Sequence, residues 1–186
     1  MDDLIRLNHP GHAALRRGRR SMPGQPVLVT TVSHDRQPWF KPWPVAAAVA
    51  RELGGNRLWR NHHVHAWVLM PDHMHVLLSL EDDESLSQLM RRVKAVSARA
   101  VHAITRSSQP VWSRAFHDHA LRSDEAVMDA ARYVIGNPVR AGLVDSIWKW
   151  SCWDCEWLPE VGDEGLDSVR GTGRGFRRSY EKRKRR

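Results

Sequence analysis

The chain has 186 residues, with 29 Lys and Arg against 21 Asp and Glu and a formal net charge of +8. That length suits one domain, or one domain with a tail, and a hydrophobic content of 41% excludes a wholly disordered chain. The two cysteines exclude a disulfide scaffold, and no apolar run approaches the roughly 20 residues that span a bilayer. With no apolar signal segment near the N-terminus, we expect a cytoplasmic protein with an anionic partner and no membrane partner.

The positive charge lies at the two ends of the chain. Residues 1–20 hold five Arg and two Asp (+3), residues 170–186 hold nine basic residues and one acid (+8), and residues 21–169 hold 15 basic and 18 acidic residues (−3). We therefore predict a basic N-terminal arm over 1–24, a folded domain over 25–158 and a disordered basic tail over 159–186. Clustered arginines favour phosphate binding through counterion release, although a merely solubilising tail is the alternative.

The sequence pattern predicts four strands and three helices between residues 27 and 136. They are a strand over 27–33, a helix over 45–53, a hairpin of strands over 63–70 and 73–80, a helix over 86–105, a strand over 115–122 and a helix over 124–136. Pro71 and Asp72 form the tight turn of the hairpin, and Ser85 caps the helix that follows it. A tryptophan-rich segment follows, which we expect to pack on the body as irregular structure or a short helix. This order predicts an α+β sandwich, an antiparallel sheet with helices on one face.

Two histidines stand two residues apart in the second strand of the hairpin. Side chains at i and i+2 of a strand share a face, so the imidazoles of His73 and His75 converge. Two neutral imidazoles supply two-thirds of a common divalent-metal site. A pair of hydrogen-bonded surface histidines is the alternative that this spacing leaves open.

A second His-x-His pair, His117 and His119, lies in the strand over 115–122. It opens a rival interpretation, in which four histidines hold a hydrolytic metal centre with water as the nucleophile. Otherwise the pair is structural or contacts DNA. The histidines at positions 62, 63 and 65 carry no assigned role.

The helix over 124–136 carries one of the two tyrosines of the chain, Tyr133; the other, Tyr180, lies in the basic tail. At the helical period, Tyr133 and Asn137 fall together on one flank of the buried stripe, one turn apart. The amide oxygen of Asn137 is a hard ligand of the kind that Mg²⁺ or Mn²⁺ accepts. A tyrosine packed at the rim, with its hydroxyl in water, is the alternative.

Together these residues predict phosphoryl-transfer chemistry. His73, His75 and Asn137 could hold a divalent cation against a phosphate. The phenol of Tyr133 would then attack the phosphorus and leave a covalent phosphotyrosine. Phenols are mostly protonated at neutral pH, so a nearby cation is needed, and Lys94 and Arg140 are the candidates for it.

At this point the sequence resembles a known family. Trp-Val-Leu-Met-Pro-Asp-His-Met-His-Val-Leu-Leu (67–78) is similar to the His-hydrophobic-His strand of the single-tyrosine HUH transposases. Tyr-Val-Ile-Gly-Asn-Pro-Val-Arg-Ala-Gly-Leu-Val (133–144) resembles the catalytic helix end of one branch, the REP-associated tyrosine transposases. The segments 111–122 and 148–151 also fit, so the resemblance covers roughly residues 25–158.

The resemblance implies a ferredoxin-like sheet with His73, His75 and Asn137 as ligands of Mg²⁺ or Mn²⁺ and Tyr133 as the nucleophile. It implies an endonuclease and strand transferase that cleaves single-stranded DNA to a 5′-phosphotyrosine and a free 3′-hydroxyl. The implied partner is repetitive extragenic palindromic (REP) DNA folded as a hairpin, bound by a nucleoid-associated monomer or homodimer. A hairpin-binding module without cleavage is the remaining alternative.

Several further side chains are predicted to play minor roles. The candidates for contacts to DNA are Arg140, Lys94, His119, Arg122, Arg174, Arg177 and Arg178. Cys152 and Cys155 form a lone Cys-x-x-Cys, which without a second pair is a weak zinc signal. We interpret them as reduced, structural thiols.

Overall fold

The computed structural model describes residues 24–60, 62–81, 84–121 and 124–157, without the side chains of residues 124 and 125. Strands and helices are interspersed along these ranges. In chain order the elements are β1 (Pro26–Val32), α1 (Trp43–Leu53), α2 (Asn56–Trp59), β2 (His63–Leu69), β3 (His73–Ser79), α3 (Leu86–Thr105), β4 (His117–Ala120), α4 (Asp124–Ile135), α5 (Asn137–Arg140) and β5 (Trp153–Cys155). Single 3₁₀ turns lie at His34–Arg36 and Ile147–Lys149.

The five strands form one sheet in the order β4-β1-β3-β2-β5, and every neighbouring pair is antiparallel. The first four strands and the helices between them follow the β-α-β-β-α-β order of the ferredoxin-like fold. The predicted α+β, ferredoxin-like class is therefore confirmed. In the tryptophan-rich segment, the 3₁₀ turn at Ile147–Lys149 agrees with the prediction of irregular structure or a short helix. Residues 153–155 depart from it, because they add a short edge strand to β2.

Both faces of this sheet are apolar, and both are covered. Helices α1 and α3 pack on the face that presents Val29, Met74 and Val76. Helix α4 packs on the opposite face, which presents Leu28 and Leu77. The prediction that the helices share one face is wrong for α4, because β2 and β3 are apolar on both sides and need cover on each.

Helix α3 begins where the sequence predicts. Ser85 is its N-cap and forms a reciprocal capping box with Gln88, whose backbone N–H donates to the Ser85 hydroxyl at 3.3 Å while the Gln88 side chain accepts from the Ser85 N–H at 2.9 Å. Leu89 and Val93 on its inner face are fully buried. Across the described ranges, no helix has the length and apolar character that a bilayer-spanning segment requires.

Candidate active site

The two histidines of β3 share a face, as predicted. His73 and His75 project on the same side as Leu77, which packs under α4, whereas Met74 and Val76 lie in the core of the opposite face. The imidazole rings meet edge-on, with their centroids 5.0 Å apart. The strand therefore holds two imidazoles side by side beneath α4.

His75 is buried, and its orientation depends on the neighbouring strand. Thr30 stands directly opposite it on β1, and the Thr30 Oγ1 lies 2.8 Å from Nδ1 of His75. Burial, together with the charges of His73 and Arg140, lowers the pKa of His75 to about 3. The ring is therefore neutral at physiological pH, and its Nε2 lone pair can accept a cation when Nδ1–H donates to Thr30.

The ring of His73 is oriented by the residue before it. Its Nδ1 lies 2.6 Å from Oδ1 of Asp72, and the other oxygen of Asp72 accepts a hydrogen bond from Arg36 at 3.1 Å. Partial burial raises the pKa of Asp72, but the bonds from His73 and Arg36 outweigh it, and the net shift is downward. The carboxylate therefore stays charged and holds Nδ1–H of His73, which leaves Nε2 as the ring nitrogen that could bind a cation.

Thr30, Asp72 and Arg36 are parts of the site that sequence reasoning missed. The sequence offered Asp72 only as a turn residue, although an acid directly before a His-x-His pair is a usable sign of an orienting partner. Thr30 gave no such sign, because its position opposite His75 depends on the β1–β3 register. That register is a property of the assembled sheet.

Tyr133 on α4 lies over the same face of the sheet as the histidines. Its ring meets the ring of His75 edge-on, with the centroids 6.0 Å apart. Helix α4 is held there by a buried stripe that includes Ala131 and Val134. The structure thus brings the two separate sequence motifs together in one site.

Asn137 and Arg140 lie on α5 and both contact the end of α4. The Asn137 Nδ2 donates to the carbonyl of Tyr133 at 3.2 Å and to that of Val134 at 3.5 Å. Because the nitrogen faces these acceptors, the oxygen is the end of the amide that could meet a cation. The Arg140 guanidinium also donates to the Tyr133 carbonyl and lies over the Tyr133 ring, 4.1 Å from its centroid.

The side chains on this face include the types of donor atom that a divalent cation accepts. His73 and His75 each have Nδ1 engaged by a neighbour and Nε2 as the remaining ring nitrogen, and Asn137 adds an amide oxygen. Two imidazoles and one neutral oxygen leave positions for substrate oxygens, as a metal that acts on a phosphate requires.

The four-histidine centre of the rival interpretation is not formed. His117 and His119 stand opposite Thr30 and Leu28 on β1, so β4 is two strands from β3, about 10 Å at the usual strand spacing. Within the described part of the chain, a different cluster forms, from His63, His65 and Glu156. One potential metal-ligand atom of each of these side chains lies within 4.8 Å of the other two. That group is a second feature that sequence reasoning missed.

Lys94 was wrongly predicted as a cation beside the tyrosine. It lies on α3, which packs on the opposite face of the sheet, and its ammonium donates to the carbonyls of Ser113 and Ala115, each at 2.8 Å. Arg140 is the predicted cation that does lie beside the Tyr133 ring. His119 is exposed on β4, and its contact to DNA stays a prediction.

Other predictions fall on residues that the structure does not describe. These are the N-terminal arm up to residue 23, Arg122, the tail over 159–186, and within the tail Arg174, Arg177, Arg178 and Tyr180.

Cys152 and Cys155 are buried free thiols, as predicted. They do not converge, because Cys152 packs into the core on the α1 and α3 side and Cys155 into the core on the α4 side. Burial raises the pKa of each to about 11. Both thiols are therefore protonated at neutral pH, which disfavours metal binding.

Comparison with known proteins identifies the family. A sequence model described as "Transposase IS200 like" matches residues 27–134, more than half of the chain, from β1 to just beyond Tyr133. The chain belongs to the IS200-like transposase family.

Relatives of this IS200-like transposase agree with the predicted branch. The REP-associated tyrosine transposase of Escherichia coli K12 is 30% identical over 92 residues, which cover 49% of this chain and 53% of the relative. A Haemophilus influenzae relative is 26% identical over 92 residues, covering 44% of this chain and 52% of its own length. The chain thus spans about half the length of the curated relatives it matches.

A solved structure shares the fold of this IS200-like transposase. It is that of a REP-associated tyrosine transposase bound to a REP hairpin, and it covers 82% of this chain and 97% of its own, with a TM-score of 0.57 and 19% identity. The resemblance predicted from the sequence is therefore confirmed at the level of family and fold.

Proposed function

We propose that this IS200-like transposase is a metal-dependent endonuclease and strand transferase that acts on single-stranded hairpin DNA. The observation that carries the proposal is the position of Tyr133, whose ring lies 6.0 Å from that of His75 on the face that also presents His73. A nucleophile and a pair of cation ligands on one face are what cleavage through a covalent intermediate requires.

In the proposed reaction, the phenol oxygen of Tyr133 attacks a backbone phosphorus. A bond forms between that oxygen and phosphorus, and the bond from phosphorus to the 3′ oxygen of the preceding nucleotide breaks. The phenol proton is lost to solvent, and the departing 3′ oxygen takes up a proton. The products are a 5′-phosphotyrosine and a free 3′-hydroxyl, and attack by another 3′-hydroxyl reverses the step and transfers the strand.

The side chains around Tyr133 have separate parts in this reaction. His73, His75 and Asn137 would bind Mg²⁺ or Mn²⁺, which when bound offsets charge on the phosphate oxygens. Arg140, whose guanidinium lies 4.1 Å from the ring centroid of Tyr133, would stabilise the phenolate form of the nucleophile.

The substrate class rests on the relatives. The Escherichia coli relative carries REP association in its name, and the solved structure of the same fold holds a REP hairpin. A hairpin with an adjoining single strand also suits the charge of the chain, because phosphate-binding arginines and lysines gather in residues 170–186. We infer that this chain acts on palindromic hairpin DNA as a cytoplasmic, nucleoid-associated monomer or homodimer.

The test uses a REP-type hairpin labelled at either end, incubated with the full chain and Mn²⁺. A 3′ label should move into a denaturation-resistant protein adduct, whereas a 5′ label should appear in a shortened strand that ends in a 3′-hydroxyl. Tyr133→Phe should lose the adduct, Tyr180→Phe should keep it, and EDTA should prevent it.

Two outcomes would overturn the proposal. Cleavage that survives Tyr133→Phe would indicate water as the nucleophile. Hairpin binding without cleavage at any Mn²⁺ or Mg²⁺ concentration would favour the alternative of a DNA-binding module. The double variant His73→Ala/His75→Ala further separates the proposed nuclease from a DNA-binding module, because the function of a binding module should survive the loss of both histidines.

A further inference from the structure

Three potential metal ligands converge at the other end of the hairpin. The Nε2 of His63 lies 2.9 Å from Oε2 of Glu156, and the Nδ1 of His65 lies 3.1 Å from the same oxygen. One ligand atom from each residue falls within 4.8 Å of the other two. Two imidazoles and a carboxylate therefore already face a common point.

The sheet builds this cluster through an irregularity in β2. His63 stands opposite Ser79 on β3, and the register shifts between Val64 and Ala66. His65 is the extra residue of that bulge, and a bulge re-aims the side chains of the strand that carries it. His65 consequently lies on the Ser79 side of the sheet, where its Nε2 is 2.9 Å from the Ser79 hydroxyl.

Strand β5 brings the carboxylate. Cys155 pairs with Ala66 of β2, and the backbone N–H of Glu156 donates to the carbonyl of His65 at 2.7 Å. The side chain of Glu156 is thereby held beside the two histidines. The cluster thus joins the edge strand β5 to β2 through side chains as well as through the backbone.

The ring of His65 is fixed on its remaining sides. The Trp157 ring stacks on it with an interplanar angle of 5° and a centroid separation of 5.5 Å. Since Ser79 engages Nε2, the nitrogen directed at Glu156 is Nδ1. A ligating imidazole whose second nitrogen bonds a neighbouring hydroxyl is the arrangement that orients histidines in metal sites.

The ligand set differs from that of the candidate active site. Two histidines and a glutamate, with the fourth position left to water, form a common tetrahedral Zn²⁺ site. Imidazole nitrogens suit Zn²⁺ better than they suit Mg²⁺. Ser79 lies four residues beyond His75 on β3, about 13 Å along the strand, so one ion could not serve both clusters.

We propose that His63, His65 and Glu156 bind a Zn²⁺ ion that is separate from the cleavage site and fastens β5 to β2. Strand β5 has three residues, and among the strands of the described ranges it pairs with β2 alone. Three residue pairs are a short hydrogen-bonded ladder, which holds an edge strand weakly. A metal bridge between Glu156 and two residues of β2 would add a second attachment for this strand.

The binding test removes the other cluster first. The full-length His73→Ala/His75→Ala variant, stripped of metal, is titrated with Co²⁺ as a spectroscopic probe and then with Zn²⁺. It should bind one equivalent of Co²⁺ with the visible bands of a tetrahedral site, and Zn²⁺ should displace it. Adding Glu156→Gln or His63→Gln should abolish stoichiometric binding, whereas His34→Ala, which alters an exposed histidine beside Asp35, should not.

A stability measurement completes the test. With Zn²⁺ 100-fold above its Kd, Tm should rise by about 5–10 °C, and Glu156→Gln should remove that rise. Absence of stoichiometric binding, or binding that Glu156→Gln leaves unchanged, would overturn the proposal. Cleavage by Glu156→Gln with Mn²⁺ should persist, so the fate of this site is read independently of the proposed nuclease activity.

Discussion

The ring of Tyr133 on α4 meets the ring of His75 on β3 edge-on, with the two centroids 6.0 Å apart. The helix approaches the histidine because Leu77, two residues beyond His75 on the same face, lies in the core that α4 covers. The same packing that buries the apolar face of the sheet therefore brings Tyr133, the proposed nucleophile, to the histidine pair. Changes around these two residues should separate metal binding from nucleophilic attack.

Thr30→Val removes the hydrogen-bonding partner of His75 while keeping the shape of the side chain. We expect the affinity for Mn²⁺ to fall by about ten- to hundredfold, because partners that orient a ligand imidazole have effects of that size. The measurement is the Mn²⁺ dependence of the cleavage rate. Cleavage at saturating Mn²⁺ should be nearly normal, and an unchanged Mn²⁺ dependence would contradict the role given to Thr30.

The next residue offers a matched control. Thr31 is 1% exposed, and its buried hydroxyl has no hydrogen-bond partner among the residues that the structure describes. Because an unsatisfied buried hydroxyl is unfavourable, Thr31→Val should leave the Mn²⁺ dependence unchanged and leave the free energy of unfolding equal or slightly higher. Urea denaturation of both variants checks that the effect of Thr30→Val does not arise from unfolding.

Arg140→Met removes the cation that lies over the Tyr133 ring. The rate of adduct formation at saturating DNA and Mn²⁺ should fall by about tenfold, equivalent to roughly 1.4 kcal/mol of transition-state stabilisation. The rate of adduct formation by Arg140→Lys should lie between those of the wild type and Arg140→Met, because lysine keeps the charge and loses the planar contact. Arg132→Met on the same helix, which breaks an exposed pair with Asp129, should react at the normal rate.

Glu84 should make stability depend on pH. It accepts hydrogen bonds from His62 at 2.9 Å and from Arg92. Burial raises its pKa, but these bonds outweigh burial and lower the pKa below its ordinary value of 4.5. Because the folded pKa is the lower one, the contribution is complete above the unfolded value and is lost as the pH falls through the folded value.

Glu84→Gln should therefore lower the free energy of unfolding by about 1–3 kcal/mol at pH 7, since it leaves Arg92 without its charged partner. The difference from the wild type should shrink as the pH falls below 4.5 towards 3. Urea denaturation at several pH values measures it, with the exposed Glu52→Gln on α1 as the control. A difference that stays constant with pH would show that the ion pair contributes nothing.

Deletion of residues 170–186 should weaken hairpin binding more than catalysis. Each lysine or arginine that contacts a phosphate of a single strand contributes about 0.7 to the slope of log affinity against log salt. The truncated chain should show a lower affinity and a shallower slope, with a normal cleavage rate at saturating DNA. Unchanged affinity at physiological salt would mean that the tail does not bind the hairpin.

The order of the first four strands and of α1, α3 and α4 could be predicted because local signals marked them. Ser85 marked the start of α3, and Pro71 with Asp72 marked the turn of the β2–β3 hairpin. The cover of both faces by different helices was not predicted, since apolar runs in β2 and β3 do not say which helix lies on which side. Strand β5 was missed because three residues carry no periodic signal.

The candidate site divides in the same way. The spacing of His73 and His75 could be read as a shared face, since strand periodicity alone decides it. The position of Thr30 opposite His75 depends on strand pairing between distant segments. The side of the sheet on which Lys94 lies depends on the packing of α3. The cluster around Glu156 could not be predicted from the sequence, because it depends on a bulge in β2 and on the unpredicted strand β5.

The most direct test of the central proposal is to locate the covalent bond. The adduct formed with a REP-type hairpin and Mn²⁺ is digested with protease and nuclease, and the peptide that carries the nucleotide is sequenced by mass spectrometry. We predict a 5′-phosphonucleotide on the phenol oxygen of Tyr133. A nucleotide on Tyr180, or cleaved DNA with no modified peptide, would contradict the proposal.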